Sequence, residues 1–512
     1  MASTIFSTML NNSCNVKPRT ATNAIISLIR TCHTGSATTT TEKSASSNLF
    51  SRLNPISHPH DSVVPVLDQW VREGKKIKYP ELQRIIRDLR SRRRYKHALE
   101  VSEWMGSKEL HYFSLSDCAV QLELIGRVRG LDSAERYFSS VTNQDNAEKV
   151  CVFGSLLSCY AREGLVAKSL SLVQKMKEMD FTIPTLNYND LMCLYKRTGE
   201  LDKVPEVLLD MKDKGVSPDN FSYRICINSY GLRSDFNSME KLLHEMECQP
   251  HISMDWTTYS MVASFYVTGG LKEKAVFYLN KCEKKVFKDA LGYNHLISLY
   301  GGLGNKEEMK RLWKLQKVVC KKQINRDFIN MMGSLVRLGE LEDAEVVLEE
   351  WNSSCKFYDF RVPNVLLIGY CQKGWVEKAE EVLRDIIKKR KTASPDSWGI
   401  LAAGFADKHK MEKACECFEE ALAVHAENKG WRPKPSLMIK ILSWLNDNGD
   451  LEELEAFGTK LLKTKVQIDR QIYHSLIKTY IRCGKEVDFL LESMKADEID
   501  EDEETKRILG SR

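Results

Sequence analysis

The chain has 512 residues, of which 43% are hydrophobic and 28% charged, with a formal net charge of +5. No run of about 18 or more apolar residues occurs, which excludes a helical membrane span and points to a soluble folded protein. Five basic side chains and one acid lie in residues 1–52, so the rest of the chain carries only +1, which excludes a uniformly basic nucleic-acid coat.

Residues 1–41 hold no Asp or Glu, are rich in Ser, Thr and Asn, and space Lys17, Arg19 and Arg30 along their length. Ala24-Ile25-Ile26-Ser27-Leu28-Ile29-Arg30 predicts a short amphipathic helix. This is the profile of an organelle presequence over residues 1–35, with mitochondrion favoured over plastid. Residues 36–78 follow as a linker and N-terminal capping segment, Ser/Thr-rich at first and carrying Pro55 and Pro59.

From residue 79 a period takes over. Tyr160, Tyr195, Tyr230, Tyr266, Tyr300, Tyr370, Phe405 and Tyr480 are 35, 35, 36, 34, 70, 35 and 75 residues apart. Glycines trail them at Gly164, Gly199, Gly270, Gly304, Gly339, Gly374, Gly449 and Gly484. Two residue types in phase over three hundred residues mean a repeat array. With the glycine as the fifteenth residue, units begin at residues 79, 115, 150, 185, 220, 256, 290, 325, 360, 395, 435 and 470. Units are 34–36 residues long, except that residues 395–434 run to 40 through an insertion at Lys429-Gly430-Trp431.

Residues 185–219 form the clearest unit. Tyr188, Leu191 and Tyr195 lie at helical spacing, Gly199 ends the helix, and Val207, Leu208 and Met211 mark a second helix. Ser217-Pro218-Asp219 then turns the chain into the next unit. Ala98, Ala275, Ala344, Ala379 and Ala414 open the second helices of their units, where small side chains let the pair approach closely. The expected fold class is all-α, a right-handed α-solenoid of about 12 helix-turn-helix repeats over residues 79–504, with residues 505–512 as a tail. The acidic stretch 497–504 is expected to cap the array.

The period and its residues separate two helix-pair families. Tetratricopeptide units want a Gly early in the first helix, where this chain has Leu157, Met192, Ile297 or Leu367. Tyr188-Asn189-Asp190-Leu191-Met192 followed by Tyr195-Lys196-Arg197-Thr198-Gly199 and Ser217-Pro218-Asp219 resembles the pentatricopeptide repeat. So do Gly292-Tyr293-Asn294-His295-Leu296-Ile297 and Tyr473-His474-Ser475-Leu476-Ile477. The likeness covers over four-fifths of the chain and, with near-uniform spacing, resembles the P subclass of land-plant organelle proteins.

The resemblance implies that each unit faces one nucleotide of single-stranded RNA, read by its fifth and last residues. Carried over, Asn189 with Asp219 matches a uracil pair, Asn364 with Ser394 a cytosine-leaning pair, and Ser260 with Asp289 a guanine-leaning pair. Asn294 supplies half a code, leaning to pyrimidine. Other units depart from the pattern: Ala119 and Ile329, at fifth positions, carry no polar atom for a base edge.

A second signal is basic. Arg127, Arg162, Arg197, Arg337 and Arg482 sit near the ends of first helices and form a candidate ladder for RNA phosphates. Catalytic signatures fail on inventory. His425-Ala426-Glu427 begins a deaminase-like motif, but no Cys-x-x-Cys follows to hold zinc. Gly301-Gly302-Leu303-Gly304 falls on an inter-helix turn without a preceding strand. The fifteen scattered cysteines read as small buried hydrophobes in a reducing compartment. No enzyme activity, cofactor or metal is expected.

Three functions follow as expectations. The first is an organelle RNA-binding protein acting in RNA stability, processing or translation by occupying single-stranded RNA. The second is a structural component of the mitochondrial ribosome that contacts ribosomal RNA and ribosomal or other ribonucleoprotein proteins. The third is a protein–protein scaffold without RNA.

Overall fold

A computed structural model describes residues 48–56, 61–108, 113–142, 149–390, 394–427, 431–448, 451–463, 468–482 and 484–510. The presequence 1–35, the first part of the linker, Gly449 and the start of the insertion lie outside the described residues. Every regular element among the described residues is helical apart from a single 3₁₀ residue.

The chain divides into two compact units, Met1–Met254 and Asp255–Arg512. The first holds two leading helices, Leu49–Leu53 and Val64–Arg72, then five helix pairs from Tyr79–Ser91 with Tyr95–Ser107 to Asn220–Leu232 with Phe236–Cys248. The second holds seven pairs, from Trp256–Thr268 with Lys272–Glu283 to Arg470–Arg482 with Asp488–Ala496, and a closing helix Glu503–Leu509. Each pair is one 35-residue unit, and every substantial helix contact joins helices one or two apart in the chain. Each body is therefore an α-solenoid, in which a pair too small to bury its own apolar face buries it against its neighbours.

Of the expected aromatic markers Tyr230 is half-buried and the others are core. Tyr188, Leu191 and Tyr195 are buried, as are Tyr266, Tyr300 and Tyr370 in their own units. Ala98, Ala275, Ala344, Ala379 and Ala414 are fully buried between paired helices. Gly199 takes a left-handed conformation, φ 85°, that ends its helix. Three units that lack that glycine bend in the same way, their fifteenth residues Arg93, Ser234 and His409 having φ of 61°, 59° and 60°, while in the unit from 115 the bend falls one residue later at Gly130, φ 88°. Packing of the two helices, rather than the local residue, thus dictates the turn.

Two boundaries differ from expectation. Part of the presumed linker is folded: Leu49, Leu53 and Leu67 are fully buried, and Trp104 Nε1 donates to Asp68 at 2.9 Å. Arg94 ties this segment down by donating to the Leu53 carbonyl at 3.3 Å. At the other end the array does not stop at residue 504. Asp502 and Thr505 form a capping box that starts Glu503–Leu509, and Thr505 and Ile508 are buried against the preceding unit.

Candidate RNA interface

The fifth residues lie one turn into the first helices. Asn189, Ser260, Asn294 and Asn364 are all buried, between 3% and 8% exposed. The last residue of a unit is the N-cap of the next first helix in most units, the exception being Arg361–Lys373, whose N-cap is Phe360. Asp219 accepts from the Ser222 backbone N–H at 2.8 Å, and Asp289 accepts from that of Leu291 at 2.9 Å. A first-helix start therefore sits beside the fifth residue of the preceding unit.

The structure brings one predicted pair into contact: Asn189 Nδ2 donates to Asp219 Oδ1 at 3.2 Å. Asn364 and Ser394 share no hydrogen bond, nor do Ser260 and Asp289, among the described residues. Asp289 accepts instead from Trp256 Nε1 at 3.0 Å.

A regular partner was missed by sequence reasoning. It is the third residue of the following first helix. Ser222 Oγ donates to Asn189 Oδ1 at 2.7 Å, and Ser397 Oγ donates to Asn364 Oδ1 at 2.6 Å. Asn294 Nδ2 donates to Asp327 Oδ1 at 2.6 Å. Gln83 with Asp117 and His474 with Thr505 repeat the arrangement at 3.0 and 2.9 Å. Each of these buried or half-buried polar side chains thus finds a partner across the unit boundary, forming a rung between adjacent first helices. The signal was present as polar residues 33 apart in the three asparagine rungs, and 34 and 31 apart in the other two, spacings hidden beneath the 35-residue period.

A rung orients an amide without exhausting it. A side-chain amide has two N–H donors and two acceptor lone pairs. At Asn189 the contacts with Asp219 and Ser222 take one of each.

The five arginines do not share one environment. Arg127 pairs with Glu123 at 3.0 Å and stacks on the Tyr95 ring, its guanidinium 4.7 Å from the centroid. Burial pushes the Glu123 carboxyl upward, but Arg90 and Arg127 outweigh it and hold it below the usual carboxylate range. Arg162 reaches Glu163 at 3.2 Å while its Nη2 is buried without a hydrogen-bond partner. Arg337 donates to Ser298 and Ser334 at 3.1 and 2.9 Å. Arg197 is exposed, and Arg482 is exposed with Asp447 3.7 Å away. Among the described residues no cluster of His, Cys, Asp or Glu fits a metal, and no helix is long and apolar enough to cross a membrane.

Comparison with known proteins identifies the same repeat. The PPR repeat family profile matches residues 185–231, and the PPR repeat matches residues 151–181, 221–249 and 362–390. A mitochondrial pentatricopeptide repeat-containing protein of Arabidopsis thaliana is 45% identical over 92% of this chain and 96% of its own length. A second from that plant, also named mitochondrial, is 36% identical over 77% and 80%. The large ribosomal subunit protein mL101 of Arabidopsis thaliana is 31% identical over 92% of this chain and 95% of its own. Among solved structures, the pentatricopeptide repeat protein PPR10 in complex with an 18-nt RNA element aligns over 95% of this chain and 88% of that one, at 15% identity and a TM-score of 0.40. With helix pairs in a 35-residue register and a relative this similar over nearly the whole chain, the protein belongs to the pentatricopeptide repeat family.

Proposed function

We propose that this protein is a mitochondrial RNA-binding protein that acts by occupying single-stranded RNA, and so in RNA stability, processing or translation. Binding rather than catalysis is its mode of action. The observation that carries the reading is the Asn189–Asp219–Ser222 rung. It holds an amide at a fixed angle between adjacent first helices with a donor and an acceptor to spare, as recognition of a base edge requires. Asn294 and Asn364 are held in the same way in the second compact unit.

Cross-linking in intact mitochondria, followed by sequencing of the bound RNA, tests the reading. A short shared footprint is expected. Replacing Asn189 and Asp219 together by Ala should relax base preference at one position by roughly 1–3 kcal/mol. Recovery of no RNA at all would sink the proposal and leave the scaffold role.

The kinship with mL101 favours a second reading, an RNA- and protein-contacting component of the mitochondrial ribosome. Sedimentation decides between the two. A ribosomal component travels with a subunit whatever messages are present, whereas a free binder follows its transcript.

A further inference from the structure

We propose a second RNA-binding surface, separate from the fifth-residue row: a lysine-rich ledge with protruding aromatics at the C-terminal ends of four consecutive second helices. The proposal rests on the RNA-binding reading above and concerns unpaired RNA outside the first-helix row.

The ledge occupies residues 284–288, 318–322, 353–357 and 388–390, at matching register positions in the units beginning at 256, 290, 325 and 360. These eighteen positions hold nine Lys or Arg and no Asp or Glu. The matching segments of the three preceding units, 178–182, 213–217 and 248–252, hold one basic residue and three acids. The charge is therefore a property of these four units, not of the repeat.

Structure places the segments side by side. Arg311 pairs with Glu283 at 2.7 Å and Lys317 with Glu350 at 2.9 Å, locking the second helices of three successive units together just short of their ends. Arg390 of the fourth unit lies over the Tyr358 ring, 4.5 Å from its centroid. The two ion pairs neutralise Glu283 and Glu350 beneath the ledge, and Lys389 pairs with Asp385 at 3.0 Å. Above them, Lys284, Lys285, Lys321, Lys322 and Lys356 are exposed, with no carboxylate partner among the described residues. The Lys288 ammonium rests 5.0 Å from the centre of the Phe287 ring.

Phe287, Val318 and Phe357 stand out from this basic strip at 79%, 78% and 86% exposed. Lysine at a helix C-terminus is ordinarily explained by the partial negative charge of the helix end. That account covers about one lysine per helix. It does not account for nearly bare phenylalanine rings between the lysines, nor for the loss of the pattern in the preceding units.

Aromatic faces set among cations are the means by which proteins hold single-stranded nucleic acid without reading its sequence. Bases stack on the rings, and ammonium groups track the phosphates. Second helices packed about 10 Å apart would offer one such step per unit. Lysines act on phosphates as point charges, so the ledge adds affinity and salt sensitivity rather than base choice.

The test uses the full chain and a fluorescent mixed-sequence RNA of about 40 nucleotides, titrated between roughly 50 and 200 mM salt. Replacing Lys284, Lys285, Lys321 and Lys322 by Gln should flatten the slope of log Kd against log salt by about 3, at ~0.7 per phosphate contact. Phe287→Ala with Phe357→Ala should weaken binding by about 10-fold or more without changing that slope, since stacking carries no counterion release. Both variants alter only exposed side chains, and circular dichroism should match the unaltered chain. If the chain binds RNA and both variants bind it equally well with an unchanged slope, the ledge is overturned while the first-helix row stands. If the unaltered chain binds no RNA, the RNA-binding reading itself falls. If polyglutamate displaces the RNA and the phenylalanine variant behaves as the unaltered chain, the occupant is an acidic protein surface and the proposal is wrong.

Discussion

Ser234 and Gly199 do the same job with different residues. Both end a first helix in the left-handed region, at φ 59° and 85°. A side chain at such an angle meets its own backbone, at a cost of roughly 1 kcal/mol that glycine avoids. A Cβ at Gly199 would meet nothing within 4 Å, so the penalty there is purely one of backbone. Ser234→Gly should therefore raise the urea midpoint, by ~0.5–1 kcal/mol in stability, and Gly199→Ala should lower it by ~1 kcal/mol. Equal midpoints for both variants would refute the argument. Lys196, close by on the helix of Asn189, carries a pH signature. Burial pulls its ammonium down to about 8 from 10.5, with Cys193 opposing weakly. The unfolded chain then binds more protons than the folded one between those values, so this group destabilises the fold fully below pH 8 and less as pH rises toward 10.5. Lys196→Met should stabilise by ~1–2 kcal/mol at pH 7, and the gain should shrink by pH 10. A gain independent of pH would show that the lysine is not desolvated. Gly199 was legible in the sequence as a helix stop, but the other two residues were not. Ser234 looks like an ordinary turn residue, and the burial of Lys196 depends on how neighbouring helices close over it.

Helices were the most legible part of this molecule, because the Tyr and Gly periods and the small residues opening second helices are direct consequences of pairing. What pairs with what between units was less legible. Rungs such as Asn294 with Asp327 lie 33 residues apart, off the period that drew attention. The fifth positions were marked in the sequence as candidate base readers, but their burial followed from the next unit's first turn. Helical glycines were missed for the same reason. Gly404 lies inside the helix Pro395–Asp407, where a Cβ would sit 2.7 Å from Cys371 Sγ and 3.2 Å from Cys371 Cβ on the adjacent first helix. Gly126 meets Cys159 Sγ at the same 2.7 Å in the other compact unit. Helix propensity alone says Gly404→Ala should stabilise by about 1 kcal/mol. Contact with the neighbouring helix says the reverse, since the two helices must separate, at ~1–3 kcal/mol. We expect net destabilisation in urea, partly rescued by Cys371→Ala. A more stable Gly404→Ala chain would mean that the helices yield freely.

At the scale of the whole chain, the division after Met254 leaves no mark in the sequence, because the 35-residue register continues through it. What the register does predict is local coupling. Substantial contacts join only helices one or two apart in the chain, so stability should behave as a sum of unit and nearest-neighbour contributions. The closing helix Glu503–Leu509 makes this testable, because it covers the outer side of the last full unit with Ile508, only 3% exposed. Ile508→Asp would place an unpaired carboxylate in that seam and should release the helix, at a local cost of ~2–3 kcal/mol. Tyr473, Leu476 and Ile477, now buried, would lose part of their cover. Hydrogen exchange followed by mass spectrometry should then show faster exchange across residues 470–510. Protection in helices from Trp256–Thr268 to Pro395–Asp407 should stay as it was. Uniform loss of protection back to residue 256 would show that this compact unit unfolds as one cooperative body, and that stacking energies do not decay from neighbour to neighbour.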